Sequence, residues 1–210
     1  MSRYRALMLD FGGVLTTPLV EAMDRFANEL GIELQDLARA ALGAYAGEAD
    51  DLVTDFETGR ISEEAFSRAF SSRLEELTGR RIEHEGLVKR LFDVRIEEPM
   101  LEAVRKVRAA GLKTAVVSNS WGDTLYPRER LDEMFDAVVL SGEVGLRKPD
   151  PAIFRYALAR LDLEAPDCVF VDDHPGHLEP AATLGITTVL HMAPARTISD
   201  LQDLLEIRLL

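Results

Sequence analysis

The feature that most constrains the fold is an alternation of short apolar runs with segments that carry helix caps. Each run has the length of a buried strand, and Gly or Pro residues separate it from its neighbours. Strands that alternate with helices in this way predict a parallel sheet covered by helices on both faces, which is an α/β fold. The predicted strands are Tyr4–Leu9, Lys113–Val117, Ala137–Leu140, Cys168–Val171 and Ile186–Leu190.

The helices between these strands are predicted from their end signals. Pro99 suits a first helical turn, Asp150 is an N-cap followed by Pro151, and Gly111 and Gly185 are typical helix stops. The last strand is followed by a helix that we place near the end of the sequence. The predicted helices of this part are Met100–Ala110, Pro151–Leu161, Gly176–Leu184 and Ser199–Leu210.

Residues 19–97 interrupt the alternation, because no convincing strand occurs there. Helices are predicted at Leu19–Leu30, Leu34–Tyr45 and Asp51–Glu57, and a longer one follows the N-cap Ser62 and ends at Gly79. The longer helix has large apolar residues at helical spacing, which predicts packing between helices. These residues are Phe66, Phe70, Leu74 and Leu77. We therefore expect a core domain formed by residues 1–18 and 98–210, with a helical subdomain, 19–97, inserted after the first strand.

Charge and composition restrict the partners. The net charge of −13 argues against binding to nucleic acid or to an anionic membrane surface, although a few local cations could still bind a small phosphorylated molecule. Arg3 and Arg5 precede an apolar run, but Asp10 breaks that run too early for a signal peptide. The single cysteine, Cys168, excludes an internal disulfide and suits a reducing compartment. We expect a cytoplasmic protein.

Polar side chains follow three of the predicted strands at the points where the strands end. In a parallel sheet these points meet at one edge, where α/β folds bind their ligands. Each residue alone has an ordinary interpretation as a cap, a turn or a solvated charge, but their joint occurrence indicates a site. The residues are Asp10, Ser118, Asn119, Asp172 and Asp173, with Arg147 and Lys148 in a loop before a helix.

These segments resemble the motifs of the haloacid dehalogenase superfamily, most closely the branch that contains the N-terminal phosphatase domain of soluble epoxide hydrolase. The resemblance implies a Rossmann-like three-layer core with a parallel sheet, an inserted helical cap and hydrolase activity. The matching segments are 10–15 (DFGGVL), 116–121 (VVSNSW), 144–151 (VGLRKPDP), 169–173 (VFVDD) and 176–182 (GHLEPAA).

The resemblance also assigns a nucleophile and a metal site. Asp10 would attack phosphorus and form an aspartyl-phosphate intermediate. Asp10, Asp173 and the backbone carbonyl of Gly12 would hold Mg²⁺, an ion that binds few carboxylates together with waters and substrate oxygens. Asp172 would lie behind the ligands and position Lys148 or a metal-bound water.

The remaining matched residues would bind the transferred group. Ser118 and the amide groups at Asn119 would contact the phosphoryl oxygens. Lys148 would neutralise phosphate charge and keep Asp10 ionised, because a nearby cation lowers the pKa of a carboxyl. The expected partner is a small phosphorylated metabolite.

Gly12 departs from the family pattern. Many phosphatases of the family have a second Asp at this position, which protonates the leaving group, and such help is worth about 10²–10⁴-fold in rate. Glycine keeps the backbone carbonyl but loses the acid, which puts phosphomutase activity in doubt. His174 could supply the proton, although we interpret it as an ordinary loop residue.

Three functions remain open at this point. The leading one is a Mg²⁺-dependent phosphatase of small phosphate esters. The alternatives are a metal-independent 2-haloacid dehalogenase, in which Asp10 attacks carbon, and a catalytically weak binding protein with the same fold. The adjacent Asp172 and Asp173 argue against the dehalogenase, because crowded carboxylates without a cation are costly. Four further residues could face the pocket, but we favour surface or packing roles for them: Arg60, Arg128, Trp121 and Tyr126.

Overall fold

The computed structural model describes residues 3–42, 51–122 and 125–209. A five-stranded sheet organises this part of the chain, and every pair of neighbouring strands is parallel. The strands are β1 (Ala6–Leu9), β2 (Lys113–Ser118), β3 (Ala137–Leu140), β4 (Cys168–Asp172) and β5 (Thr187–Leu190). Their order is β3-β2-β1-β4-β5. The strand order therefore reverses direction at β1, and ligands of open α/β sheets bind at such a point.

Helices fill the intervals between the strands, and a short 3₁₀ helix, Ala165–Asp167, precedes β4. Among the described residues between β1 and β2, five helices precede the helix that leads into β2. In chain order the helices are α1 (Leu19–Leu30), α2 (Leu34–Leu42), α3 (Asp51–Glu57), α4 (Glu63–Thr78), α5 (Leu87–Leu91), α6 (Glu98–Ala109), α7 (Arg128–Met134), α8 (Ser141–Val144), α9 (Pro151–Leu161), α10 (Pro175–Thr183) and α11 (Pro194–Leu205).

Strand β1 is buried on both faces of the sheet. Leu7 and Leu9 belong to an apolar cluster with α6 and α11, whereas Ala6 and Met8 belong to a second cluster with α9 and α10. Alternate residues of a strand point to opposite faces, so a strand covered on both sides must be apolar throughout. The predicted α/β class, with a parallel sheet between two helical layers, is confirmed.

Helices α1 to α5 and the adjoining residues 92–94 are called the helical block below, and a third apolar cluster lies among the helices. The chain enters and leaves this block side by side. Thr17 N–H donates to the Arg95 carbonyl oxygen at 2.8 Å, and Glu97 N–H donates to the Leu15 carbonyl oxygen at 2.9 Å. The block thus projects from the carboxyl edge of β1, next to Asp10. None of the helices among the described residues is both long and apolar enough to span a bilayer.

Several local predictions were wrong. Leu77 is 48% exposed, because it lies in the last turn of α4, although it has the same angular position as the buried Phe66. The last helix begins at Pro194 and not at Ser199, since proline starts its first turn. Residues 141–144 form a short helix, and α5 and α7 were not predicted, because short helices carry little periodicity. The predicted end of α2 at Tyr45 lies outside the described residues.

Candidate active site

Three strand ends bring the predicted polar residues to one edge of the sheet. Asp10 directly follows β1, and its N–H donates to the Val171 carbonyl oxygen at 2.9 Å, which continues the ladder with β4. Ser118 ends β2 and Asp172 ends β4, the two neighbours of β1. All three side chains are buried. The sheet therefore places a nucleophile candidate between two strands that also end in polar groups.

The Lys148 ammonium joins two of these carboxylates. Its Nζ lies 2.9 Å from Asp10 Oδ2 and 2.7 Å from Asp172 Oδ2, and the side chain is fully buried. Burial alone would lower the pKa of Lys148, but the two carboxylates outweigh it and raise that pKa above the usual value. Lys148 is consequently a permanent positive charge. Burial raises the pKa of Asp10, an effect that the Lys148 ammonium opposes.

Asp172 is held on all sides by donors. One oxygen accepts the Lys148 ammonium, and the other accepts the His174 backbone N–H at 2.8 Å and the His177 Nδ1 at 3.1 Å. Burial would raise the pKa of Asp172, but the Lys148 charge and the His177 hydrogen bond lower it well below the usual range. Asp172 is therefore ionised, and its geometry suits the positioning of Lys148 better than the binding of a further ligand.

The Asn119 side chain is engaged with the backbone of the lysine loop. Its amide nitrogen donates to the Lys148 carbonyl oxygen at 3.0 Å, and its amide oxygen accepts the Lys148 N–H at 2.8 Å. This paired contact fixes the loop from which Lys148 reaches Asp10. Since both ends of the amide are used in it, only the backbone groups at Asn119 can serve the predicted phosphoryl contact.

Ser118 and Tyr126 line the opposite side of the site. The Ser118 hydroxyl and the Tyr126 hydroxyl lie 3.2 Å apart, and the tyrosine also donates to the Asn119 carbonyl oxygen at 3.1 Å. The Tyr126 ring is tilted against Phe11, with centroids 4.8 Å apart. Burial raises the pKa of Tyr126, so that it stays protonated and acts as a hydrogen-bond donor.

Asp173 lies beside the loop that follows Asp10. Gly13 has a φ of +73°, and a Cβ at this position would meet Asp173 Oδ2 at 2.2 Å. Both the positive φ and the short distance to Asp173 therefore require glycine at position 13. Desolvation within the cleft, and next the charges of Asp10 and Asp172, raise the pKa of Asp173 to about 7. The site contains three carboxylates and one ammonium, which leaves an excess of negative charge.

Two sets of residues could hold a metal ion. Ligand atoms of Asp10, Asp172 and His177 lie within 4.8 Å of one another. However, the Lys148 ammonium already lies between the first two carboxylates, so this set is a poor cation site. Asp10 and Asp173 line the same cavity as Gly12, and their oxygens are the donors that Mg²⁺ prefers. The raised pKa of Asp173 also indicates a place where a cation would relieve repulsion.

A cavity of about 370 Å³ opens in front of Asp10. Its sheet side contains Asp10, Ser118, Asn119, Asp173, His174 and His177. The side chains that the helical block contributes are apolar, Leu19, Val20, Met23, Leu34, Phe92 and Val94 among them. The volume lies within the range of about 300–1,000 Å³ that small-molecule sites occupy. One end of the cavity is thus charged and the other is hydrophobic.

His177 had no assigned role from the sequence, whereas Trp121 and Tyr126, for which surface or packing roles were favoured, line the cavity. His177 lies in the first turns of α10, within the matched segment that follows Asp172 and Asp173. Its position in that segment was the one sequence signal that could have indicated a role at the site. Trp121, three residues after Ser118, lines the cavity and packs against Phe92 of the helical block at 4.5 Å between centroids. Tyr126 likewise combines packing, against Phe11, with a place in the cavity lining.

The two arginines considered from the sequence do not line this cavity. Arg60 forms an exposed ion pair with Asp55, and Arg128 forms exposed pairs with Asp132 and Glu143. Both residues therefore have the surface role that the sequence favoured.

Comparison with known proteins agrees with this geometry. Residues 4–185 match the family model described as "Hydrolase: haloacid dehalogenase-like hydrolase". The chain is 31% identical over 214 residues to acyl-CoA dehydrogenase family member 10 of Mus musculus, covering 96% of this chain and 19% of that protein. It is 28% identical over 222 residues to bifunctional epoxide hydrolase 2 of Sus scrofa, covering 98% of this chain and 40% of that protein. The chain thus spans less than half the length of either relative.

A solved structure shows the same fold over nearly the whole chain. It is that of a HAD-like family hydrolase from Porphyromonas gingivalis, with a TM-score of 0.67 and 23% identity, covering 95% of this chain and 98% of that one. The likeness to the epoxide hydrolase confirms the resemblance stated from the motifs. The parallel sheet, the buried Asp10–Lys148–Asp172 arrangement and the family match lead to one conclusion: the chain belongs to the haloacid dehalogenase-like hydrolases.

Proposed function

We propose that this hydrolase is a Mg²⁺-dependent phosphatase that transfers the phosphoryl group of a small phosphate ester to Asp10 and then to water. One observation carries the proposal. Asp10, Asp172 and Asp173 lie at one edge of the sheet, and among the described residues Lys148 is the only ammonium that forms an ion pair with any of them. The anionic phosphate of a substrate can enter such a site only if a cation compensates its charge.

Asp10 is oriented for nucleophilic attack by two donors. The Phe11 N–H donates to Asp10 Oδ1 at 2.7 Å, and Lys148 donates to Oδ2 at 2.9 Å. In the first step a carboxylate oxygen forms a bond to phosphorus while the bond from phosphorus to the ester oxygen breaks. In the second step water attacks the phosphorus of the acyl phosphate, which releases phosphate and restores the Asp10 carboxylate.

The metal fits the oxygen donors next to Asp10. Asp10, Asp173 and the Gly12 carbonyl would hold Mg²⁺, and Asp172 would stay outside this set because Lys148, His174 and His177 occupy its oxygens. When bound, the ion supplies charge compensation that allows a carboxylate to approach an anionic phosphate. The orientation of the nucleophile comes from the chain itself, because the Lys148 ammonium fixes the Asp10 carboxylate.

The phosphoryl oxygens would face Ser118, the backbone amides at Asn119 and the Lys148 ammonium. Ser118 and Asn119 are buried at the charged end of the cavity, and the buried Lys148 ammonium contacts Asp10 there. Preorganised donors in a site without bulk water stabilise developing charge more strongly than water does. The helical block would act as a cap that covers Asp10, excludes water and contacts the organic part of a small phosphorylated metabolite.

The test is phosphate release from a panel of phosphorylated metabolites, with Mg²⁺ and with a chelator. We expect turnover that requires Mg²⁺ and is lost in Asp10→Asn, while Asp203→Asn, a change to an exposed carboxylate on α11, keeps it. Acid-quenched enzyme should carry one phosphoryl group on the peptide that contains Asp10. Turnover that survives the chelator, or release of halide from a 2-haloacid instead, would overturn the proposal in favour of metal-independent attack on carbon.

A further inference from the structure

The space next to Gly12 is occupied by an apolar side chain. The three atoms nearest to a Cβ on Gly12 would all belong to Leu19, with Cδ1 at 3.2 Å, and the φ of Gly12 lies outside the left-handed region. An ordinary side chain is therefore compatible with the backbone here. The isopropyl group of Leu19 fills the volume into which a carboxylate at position 12 would extend. An apolar group therefore occupies the place that the acid would take.

Aromatic rings line the cavity in front of Asp10. Phe11 and Tyr126 border it from the sheet side, Trp121 from the loop after β2, and Phe92 from the helical block. Among the described cavity residues, every charged or imidazole side chain lies on the sheet side. A leaving group that carried its own charge would have no partner at the hydrophobic end, and burial of an unpaired charge is costly.

The Tyr126 hydroxyl, which lines the cavity, is poorly suited to protonate a leaving oxygen. The Tyr126 hydroxyl already donates to the Asn119 carbonyl oxygen, and burial raises the pKa of Tyr126, which makes it a weak acid. A leaving group that departs without a proton suits these surroundings.

We propose, on the basis of the phosphatase function above, that the substrate is an aryl phosphate whose ring lies against Phe92 and Trp121 and whose oxygen departs unprotonated. Asp10 forms the bond to phosphorus, and the electron pair of the broken bond leaves on the aryl oxygen as a phenolate, which then takes a proton from water. A phenol has a pKa of about 10, as tyrosine does. Water has a pKa of about 16, and an aliphatic alkoxide is a comparably poor leaving group.

The first experiment compares two esters that differ in the leaving oxygen and hardly in shape, phenyl phosphate and benzyl phosphate. A general acid would make the two rates similar, because it protonates the benzyl alkoxide. Without one, we expect kcat/KM for phenyl phosphate to exceed that for benzyl phosphate by about 10²-fold or more. Equal turnover of both would overturn the aryl inference and leave the phosphatase function intact. If neither is hydrolysed while another ester is, the aryl inference alone fails. If no phosphate ester is hydrolysed, both proposals fail.

The second experiment restores the acid. Gly12→Asp, combined with Leu19→Ala to make room, should raise turnover of benzyl phosphate far more than that of phenyl phosphate. Gly12→Asn with Leu19→Ala has the same size without the acid and should change both esters by one common factor. A selective gain with Asn would refute the reasoning. So would equal turnover of both esters that is lost in His174→Gln, since His174 would then be the proton donor.

The third experiment tests the aromatic wall without turnover. Trp121 is the only tryptophan of the chain and lines the cavity, so its fluorescence reports occupancy. Phenylphosphonate, which has no scissile ester bond, should change the emission at concentrations at least about tenfold below those that methylphosphonate needs. Equal affinities for the two phosphonates would contradict contact between the ring and this wall.

Discussion

Replacing Lys148 by methionine tests the charge arrangement at the centre of the site. The ammonium lies 2.9 Å from Asp10 and 2.7 Å from Asp172, and all three side chains are buried. Methionine preserves much of the volume but leaves two carboxylates facing each other. Breaking a buried pair in this way costs about 3–5 kcal/mol of the free energy of unfolding. For a chain of this size the expected decrease in Tm is about 6–20 °C.

The loss should depend on pH in a definite direction. In the natural protein the pKa of Asp172 is lowered, so its contribution to stability is present above the pKa of the unfolded chain and is lost as the pH falls. In Lys148→Met burial raises the pKa values of both carboxyls, so the variant is least destabilised where they are protonated. The difference in Tm should therefore be small near pH 4 and increase toward pH 7.

The measurement is thermal unfolding by circular dichroism at several pH values, with a chelator present so that no metal compensates the lost charge. Lys89→Met makes the same chemical change at an exposed position and should alter the free energy of unfolding by less than about 0.5 kcal/mol. Adding Asp172→Asn to Lys148→Met should restore part of the lost stability. A pH-independent loss, or a further loss in the double variant, would refute the charge reasoning.

Three further predictions concern the metal and the contact between the helical block and the sheet. Asp173→Asn should abolish Mg²⁺ binding in a calorimetric titration, and unchanged affinity would remove Asp173 from the ligands. Gly13→Ala should also weaken Mg²⁺ binding, because the added Cβ would meet Asp173 Oδ2, whereas Gly79→Ala, at φ +67° with open space around it, should lower Tm without changing Mg²⁺ affinity. Glu57→Gln breaks the 2.7 Å buried pair with Arg147 and should lower the free energy of unfolding, measured with denaturant, by about 3–5 kcal/mol. Adding Arg147→Met should restore part of this loss. Simple additivity of the two losses would contradict a direct pairing.

The sequence determined the class of the fold because each strand covered on both faces must be apolar throughout. The run that contains Leu7 and Leu9 on one face and Met8 on the other shows this directly. The residue that ends such a run must lie at the carboxyl edge of the sheet. The positions of Asp10 and Asp172 at a common edge therefore followed from the sequence before any distance was known.

The order of the strands came only from the tertiary structure. Chain order places β2 next after β1, but β4 pairs with the other side of β1, and this brings Asp172 within reach of the ammonium that also contacts Asp10. The pairing of distant strands depends on how the helices pack over the sheet, which is a property of the whole core. A motif alone could name Lys148 without showing that it bridges two buried carboxylates.

The chemistry of the cavity was likewise decided by packing between distant segments. The Asn119 side-chain amide forms hydrogen bonds with the backbone of Lys148, whereas the sequence predicted that the amide groups at Asn119 contact phosphoryl oxygens. Trp121 belongs to the core of the helical block, and Leu19 fills the space beside Gly12. Such contacts join residues far apart in the chain, whose proximity no local pattern encodes. The sequence by itself therefore determined which side chains reach the edge of the sheet, and the tertiary structure decided what each of them touches, because contacts depend on the packing of the entire chain.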